Sequence, residues 1–156
     1  MVKKMKKILV ITFLTLFFFS NSLIADSVKV IDGDTIIVNN EKIRFFGIDT
    51  PELKQTCEKD EKIVNCGISA KKILIKKIGK KIPECITHGK DVYKRTLAEC
   101  YIEGKSLSVF LVRNGYAFAY RKYSKKFVKD EEFAKANNLG MWSMKFQYPW
   151  NYRKSF

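Results

Sequence analysis

From Ser27 onward, apolar and polar positions alternate over short runs. Ser27 to Ile31 and Thr35 to Val38 read as strands, with Asp32-Gly33-Asp34 as the turn between them. Asn39-Asn40 signals a second turn, and Lys42 to Ile48 reads as a third strand. Thr50-Pro51-Glu52 ends this meander, because proline cannot donate to a sheet ladder. Residues 53–66 are mostly polar and read as a loop between Cys57 and Cys66. The period then changes. Ala70, Ile73, Leu74 and Ile78 fall at helical spacing, with lysines on the outer face and Gly79 as the stop.

Lys81 to Thr87 and Thr96 to Ile102 read as two more strands, turned by His88-Gly89-Lys90-Asp91. Leu107, Phe110 and Leu111 predict a short helix closed by Asn114-Gly115, and a last helix is expected over about 127–138, ended by Leu139-Gly140. Five strands, with a helix between the third and fourth, follow the order of an OB-fold barrel. The expected class is therefore α+β: a five-stranded OB-fold barrel with about three helices. That topology serves binding modules as well as enzymes and names no activity by itself.

The first 25 residues follow a different pattern. Lys3, Lys4, Lys6 and Lys7 precede an apolar run from Ile8 to Phe19, and small or polar residues follow as far as Ala25. This is the layout of a secretory signal peptide. The 12-residue run is shorter than the ~20 residues of a membrane span. The alternative is an uncleaved N-terminal anchor. The expected division is a signal peptide over 1–25 and one domain over 26–156, acting in the periplasm or outside the cell. No stable membrane partner is expected after signal removal.

Removing the signal takes the formal charge from +14 to +10, since four lysines and no acidic residue leave. So basic a domain suits a polyanionic partner, either nucleic acid or an anionic lipid surface. Four cysteines in an extracytoplasmic setting favour two disulfides. Zinc is the weaker reading, because there is no C-x-x-C and His88 is the lone histidine.

The candidate chemistry lies in three segments: Ile31 to Thr35, Arg44 to Glu52, and Asp91 to Arg95. Asp34 and Asp49 stand near turns at strand edges, and two carboxylates with a backbone carbonyl can hold a hard cation such as Ca²⁺. Glu52, just past Pro51, is placed to act as a base toward a water. Arg44 and Arg95 can fork onto phosphate oxygens. Pleating poses a geometric condition. Arg44 and Asp49 are five apart, so an unbroken strand points them to opposite faces, and a break at Gly47 is required.

Together, the D-G-D-T, R-x-x-x-x-D-T-P-E and D-x-Y-x-R segments resemble the signature of the thermonuclease (staphylococcal nuclease-like) family, secreted bacterial type. The likeness runs from about residue 28 to Trp142, and Pro149-Trp150-Asn151-Tyr152-Arg153 resembles the tail of periplasmic members. The resemblance implies Asp34, Asp49 and the Thr50 carbonyl as Ca²⁺ ligands. It implies Arg44 and Arg95 as the phosphate clamp, with Glu52 as general base. Tyr93 would bond a phosphate, and Tyr120 or Tyr123 would wall the base or sugar. Two departures stand out: Val92 where the prototype has lysine, and Lys94 where glycine is common.

Of the three possible pairings, Cys57–Cys66 and Cys85–Cys100 are expected. The first closes the loop after Glu52, and the second joins the strands flanking Asp91 to Arg95. The implied function is a monomeric, Ca²⁺-dependent, low-specificity endonuclease acting on DNA and RNA and leaving 3′-phosphates. The main alternative is a non-catalytic OB-fold nucleic-acid-binding module, and a lipid-docking envelope protein stands behind it.

Overall fold

The computed structural model describes residues 27–155, so the signal-peptide expectation lies outside the described residues. The chain opens with β1 (Val28–Val30), β2 (Thr35–Val38) and β3 (Glu41–Phe45), an antiparallel meander. Asn39 and Asn40 take φ of 49° and 68° at its second turn, the left-handed region that asparagine tolerates best among residues with a Cβ. The expected third strand is split. Phe46-Gly47 interrupts it, and β4 (Ile48–Asp49) follows as a separate piece. Gly47 has φ 75°, and a Cβ there would stand 2.9 Å from Ser124 Cβ and 3.0 Å from the Phe127 ring. The break required between Arg44 and Asp49 is therefore present, and it needs glycine for both conformation and space.

The segment expected to be a loop is a hairpin instead. β5 (Thr56–Lys59) and β6 (Lys62–Asn65) pair antiparallel around Asp60-Glu61, both with positive φ. Such two-residue turns ordinarily carry glycine or asparagine, so the sequence held no turn signal here. Next comes α1 (Cys66–Ile78). Asn65 caps it by accepting the Ile68 N–H at 2.7 Å, and Gly79 ends it with φ 61°. Ala70, Leu74 and Ile78 are buried on its inner face.

β7 (Glu84–Lys90) begins three residues later than expected, after Pro83, and runs through His88 to Lys90 with a register irregularity between Thr87 and Gly89. The turn between the strands is therefore Asp91 to Arg95, not His88 to Asp91. β8 (Thr96–Ile102) occupies the predicted residues. β9 (Lys105–Ser106), α2 (Leu107–Arg113), β10 (Phe118–Ala119) and α3 (Val128–Ala136) follow. A 3₁₀ turn at Gly140–Ser143, α4 (Pro149–Tyr152) and a last 3₁₀ turn at Arg153–Ser155 complete the tail.

The main sheet has the order β1-β2-β3-β8-β7, with β3 and β8 parallel. It is a five-stranded strip with β9 hydrogen-bonded to β8, and β4 pairs separately with β10. This is the expected OB-type arrangement in its partly open form, not a continuous ring of hydrogen bonds. The core lies between the curved sheet and helices α1 and α2, and includes Ile36, Ile43, Phe45, Leu74, Ala98, Leu107 and Leu111. Each fully buried Leu or Ile contributes roughly 1.5–3 kcal/mol. A second cluster joins Phe118 and Met141 to Trp142, Phe146, Tyr148 and Trp150, and it seats the tail.

Both expected disulfides form, Cys57–Cys66 and Cys85–Cys100. Cys85 and Cys100 are direct cross-strand partners on β7 and β8. Closing a 15-residue separation contributes about 3 kcal/mol in the chain-entropy model. A Cys85→Ser/Cys100→Ser variant is expected to lose about that much stability in urea unfolding. A loss below about 1 kcal/mol would show that β7 and β8 are held by their ladder alone.

Candidate functional site: a carboxylate pair bridged by arginine

The site forms where β2, β3 and β4 meet. Asp34 immediately precedes β2, and its carbonyl accepts the Phe45 N–H at 2.8 Å, which locks it beside the end of β3. Gly33 permits this approach. A Cβ on it would stand 2.8 Å from Thr50 Oγ1 and 2.9 Å from Ala70 Cβ. Arg44 projects from β3 and forks across the two aspartates. Nη1 donates to Asp34 Oδ1 at 2.7 Å and Nη2 to Asp49 Oδ1 at 2.8 Å. The Thr50 N–H donates to Asp34 Oδ2 at 3.2 Å, and Thr35 Oγ1 donates to Asp34 Oδ1 at 3.1 Å. Asp49 is wholly buried and Asp34 nearly so, at 0% and 2% exposure.

Two buried carboxylates this close are costly to keep charged unless cations meet them. Burial pushes the Asp34 carboxyl up to about 7, against the lowering pull of Arg44 and with further upward pressure from Asp32 and Asp49. Burial works against the charge on Arg44, but the two aspartates outweigh it and hold its pKa above the ordinary guanidinium value.

Glu52 lies beyond Pro51 and is partly exposed at its carboxylate. Its backbone is fixed on two sides. Its N–H donates to Gln55 Oε1 at 3.2 Å, and its carbonyl accepts the Gln55 N–H at 2.8 Å. That carbonyl also packs on Gly67 in the first turn of α1, where a Cβ would fall 1.8 Å from it. The Cys57–Cys66 bridge adjoins the same contact, so the disulfide and the glycine together fix the loop carrying Glu52.

Arg95 stands on the Asp91 turn. Asp91 Oδ1 accepts the Tyr93 and Arg95 N–H groups, both at 2.9 Å, and Oδ2 accepts Arg95 Nε at 2.7 Å. Burial opposes the charge on Asp91, but these hydrogen bonds, that of the Arg95 side chain foremost, lower its pKa. Asp91 is thus a positioning residue for Arg95, a role that its reading as a simple turn former missed. Lys94 takes φ 62° here, so the turn keeps a glycine-type conformation despite carrying lysine.

One cleft of about 490 Å³ gathers Arg44, Glu52, Arg95, Tyr93, Tyr120 and Tyr123. Tyr93 is highly exposed, with the Arg95 guanidinium 5.6 Å from its ring centroid. Tyr120 and Tyr123 meet edge to face at 5.0 Å, and the Tyr120 N–H is anchored to the Gly47 carbonyl at 2.9 Å. A second concavity, of about 600 Å³, is lined by Glu58, Asp60, Glu61 and Lys145 among others and shares no residue with the cleft. Its acidic lining is the wrong sign for a phosphate.

A further residue completes the site. Arg153, just past α4, reaches back across the chain. Its Nη2 donates to Asp49 Oδ2 at 2.8 Å, and its Nη1 to Asp49 Oδ1 at 3.2 Å and Glu52 Oε1 at 2.8 Å. The tail motif containing it was visible in the sequence, but a separation of 104 residues from Asp49 gave no sign of the contact. Gln55, buried at 1%, ties the same tail down by donating from Nε2 to the Gln147 carbonyl at 2.6 Å.

The donor set is hard oxygen throughout, comprising Asp34, Asp49 and the buried Thr50 main chain held to Asp34. That chemistry fits a cation of the calcium or magnesium class and not a thiolate- or imidazole-loving metal. Among the described residues no group of three His, Cys, Asp or Glu side chains could hold a metal. A cation here would therefore take its remaining ligands from backbone and water.

The profile of the family described as Staphylococcal nuclease homologue matches residues 42–144, most of the described domain. The chain belongs to the staphylococcal nuclease family. An uncharacterized endonuclease of Haemophilus influenzae is 32% identical over 123 residues, covering 74% of this chain and 64% of that protein. The SPbeta prophage-derived endonuclease YokF of Bacillus subtilis is 32% identical over 138 residues, covering 74% of this chain and 42% of its own length. A probable staphylococcal-like nuclease of rice, CAN3, is 29% identical over 124 residues, covering 78% and 30%. The chain thus spans about a third to two thirds of these relatives. Within this staphylococcal nuclease homologue, the matched region carries Arg44, Asp49, Glu52 and Arg95, while Asp34 and Arg153 flank it.

The buried carboxylate sets a pH dependence. In the unfolded chain Asp34 loses its proton near the ordinary 3.8, whereas in the fold it keeps it to about 7. Between those values the folded state binds more protons, so this group's contribution to stability falls as pH rises from about 4 to about 7. Asp34→Asn imitates the neutral form. In chelator, wild type is expected to lose stability relative to Asp34→Asn across that window, measured by urea unfolding. A pH-independent difference would contradict the burial argument.

Proposed function

We propose that this domain is a metal-assisted phosphodiesterase, a Ca²⁺-dependent endonuclease of low specificity that cuts DNA and RNA and leaves 3′-phosphates. The observation that carries the reading is convergence. Arg44 and Arg95, from separate strands and turns, line one cleft with Glu52, and Arg44 reaches from that cleft to both buried aspartates, Asp34 and Asp49. A binding module needs basic and aromatic surface but has no use for two buried carboxylates beside a carboxylate base.

Asp34, Asp49 and the Thr50 carbonyl would hold the cation. Bound there, it supplies Lewis-acid neutralisation of a phosphate oxygen. The chain's own groups do the rest. Arg44 and Arg95 present guanidinium donors to the scissile phosphate and stabilise the charge that builds in the five-coordinate state. Asp91 keeps Arg95 aimed by fixing its Nε. Glu52, partly open to solvent and fixed at its backbone, accepts a proton from the attacking water. Tyr93 offers its hydroxyl to a phosphate, and Tyr120 with Tyr123 offers ring faces to a base or sugar. Because such contacts address phosphates, sugars and π-faces, they favour low sequence specificity.

Two disulfides support action in an oxidising compartment, periplasmic or extracellular, and the high positive charge supports polyanion binding with strong salt dependence. We assign the acting form as a monomer released from its signal peptide.

Plasmid digestion by the oxidised domain should require Ca²⁺ and stop in chelator. Arg44→Ala and Arg95→Ala should each lower the rate by about 10²–10³, and Glu52→Gln by about 10²–10⁴. Tight DNA binding with no cleavage in any divalent metal would replace this reading with the binding-module one.

A further inference from the structure

The contacts of Arg153 give the tail a role beyond packing. Asp49 accepts three charge-assisted hydrogen bonds from two guanidinium groups, one from Arg44 and two from Arg153. Oδ1 accepts one bond from each arginine and Oδ2 accepts one from Arg153, so a divalent cation coordinated by Asp49 meets two guanidinium charges and competes with Arg153 at Oδ2. The two arginines differ in how easily they can yield. Arg44 sits within β3 and is fastened to both aspartates, with 19% of its side chain exposed. Arg153 opens a short 3₁₀ turn, Arg153–Ser155, directly after α4, and 39% of its side chain is exposed. Its ion pairs are to Asp49 and Glu52.

The tail is not loosely placed. Tyr148 stacks on Trp150 at 4.6 Å, and Trp150 stacks on Tyr120 at 5.7 Å with the rings nearly parallel. Gln55 holds the Gln147 carbonyl from the other side. The aromatic stack thus keeps the base of α4 beside the cleft, and the more exposed Arg153 is the guanidinium that can yield without disturbing the sheet. The local concentration of this cation at Asp49 is therefore high and independent of solution composition.

We propose that Arg153 is a tethered cation that competes with the divalent metal for Asp49, holding Asp49 and Glu52 paired until metal displaces it. The idea rests on the metal-binding part of the function proposed above. Its consequence is quantitative. The metal binds only the fraction of molecules in which Arg153 has released Asp49, so the apparent dissociation constant is the intrinsic one divided by that fraction. A released fraction of about one tenth weakens apparent affinity about tenfold. In the metal-free protein the same contact compensates a buried carboxylate, so it stabilises the fold where metal is scarce.

The test is direct Ca²⁺ titration by calorimetry on the mature oxidised domain, wild type against Arg153→Gln, with urea unfolding of both in chelator and in saturating Ca²⁺. The expected result is Ca²⁺ binding about threefold to thirtyfold tighter in Arg153→Gln. The variant should also be less stable than wild type in chelator, with the gap closing in saturating Ca²⁺. Arg153→Lys, which keeps the charge but loses the fork, should fall between. Unchanged or weaker Ca²⁺ binding in a folded Arg153→Gln would overturn the competition. So would a stability gap of the same size with and without Ca²⁺, which is what a purely structural tail contact gives. Absence of Ca²⁺ binding to wild type and variant alike would instead defeat the metal assignment itself.

Discussion

The site is organised around one constraint: two carboxylates, Asp34 and Asp49, are held out of water within reach of a single guanidinium. Arg44 bridges them at 2.7 and 2.8 Å, and that bridge is what makes their burial tolerable. Removing one member of such a buried set costs about 3–5 kcal/mol, because an uncompensated charge remains. Keeping it costs stability too, relative to a hydrophobic filling. A core of this size can bear that expense, and the charge placement suits catalysis better than folding.

Much of the surrounding architecture serves that placement. Gly47 breaks the third strand so that Arg44 and Asp49 converge. Gly33 lets Thr50 and α1 close against the Asp34 turn, and Gly67 lets the Glu52 carbonyl rest on the helix start. At each of these positions a methyl group would meet a neighbour at 2.9 Å or less. The disulfides act at one remove. Cys57–Cys66 adjoins the Glu52 contact, and Cys85–Cys100 clamps the strands that carry the Asp91 turn and Arg95. The tail contributes charge as well as packing, since Arg153 brings a second guanidinium to Asp49.

Most of the fold was legible because periodicity and turn residues agree along the chain. The strand over 96–102, the short helix after Leu107 and the glycine stop at Gly79 are all where alternation and capping place them. The β5–β6 hairpin was not legible, because Asp60-Glu61 occupies a left-handed turn without its usual glycine or asparagine. The start of β7 shifted because Pro83 delays ladder formation, and a bulge near Gly89 carries the strand through a residue pair that resembles a turn. Within the site, Arg44, Asp34, Asp49, Glu52 and Arg95 were accessible because each sits in a short motif with a chemical reason. Arg153 and Gln55 were not. Their roles come from tertiary contacts across about a hundred residues, and no local spacing records them.

In the proposed function, a hard cation sits against the aspartate pair while a phosphate lies between the two arginines of the cleft. The most direct measurement is a crystal structure of the oxidised domain with Ca²⁺ and a short, cleavage-resistant deoxyoligonucleotide. One cation should lie within coordination distance of both Asp34 and Asp49, with a backbone phosphate touching Arg44 and Arg95. A cation bound elsewhere, or a phosphate lying on the lysine-rich face of α1 away from both arginines, would contradict it.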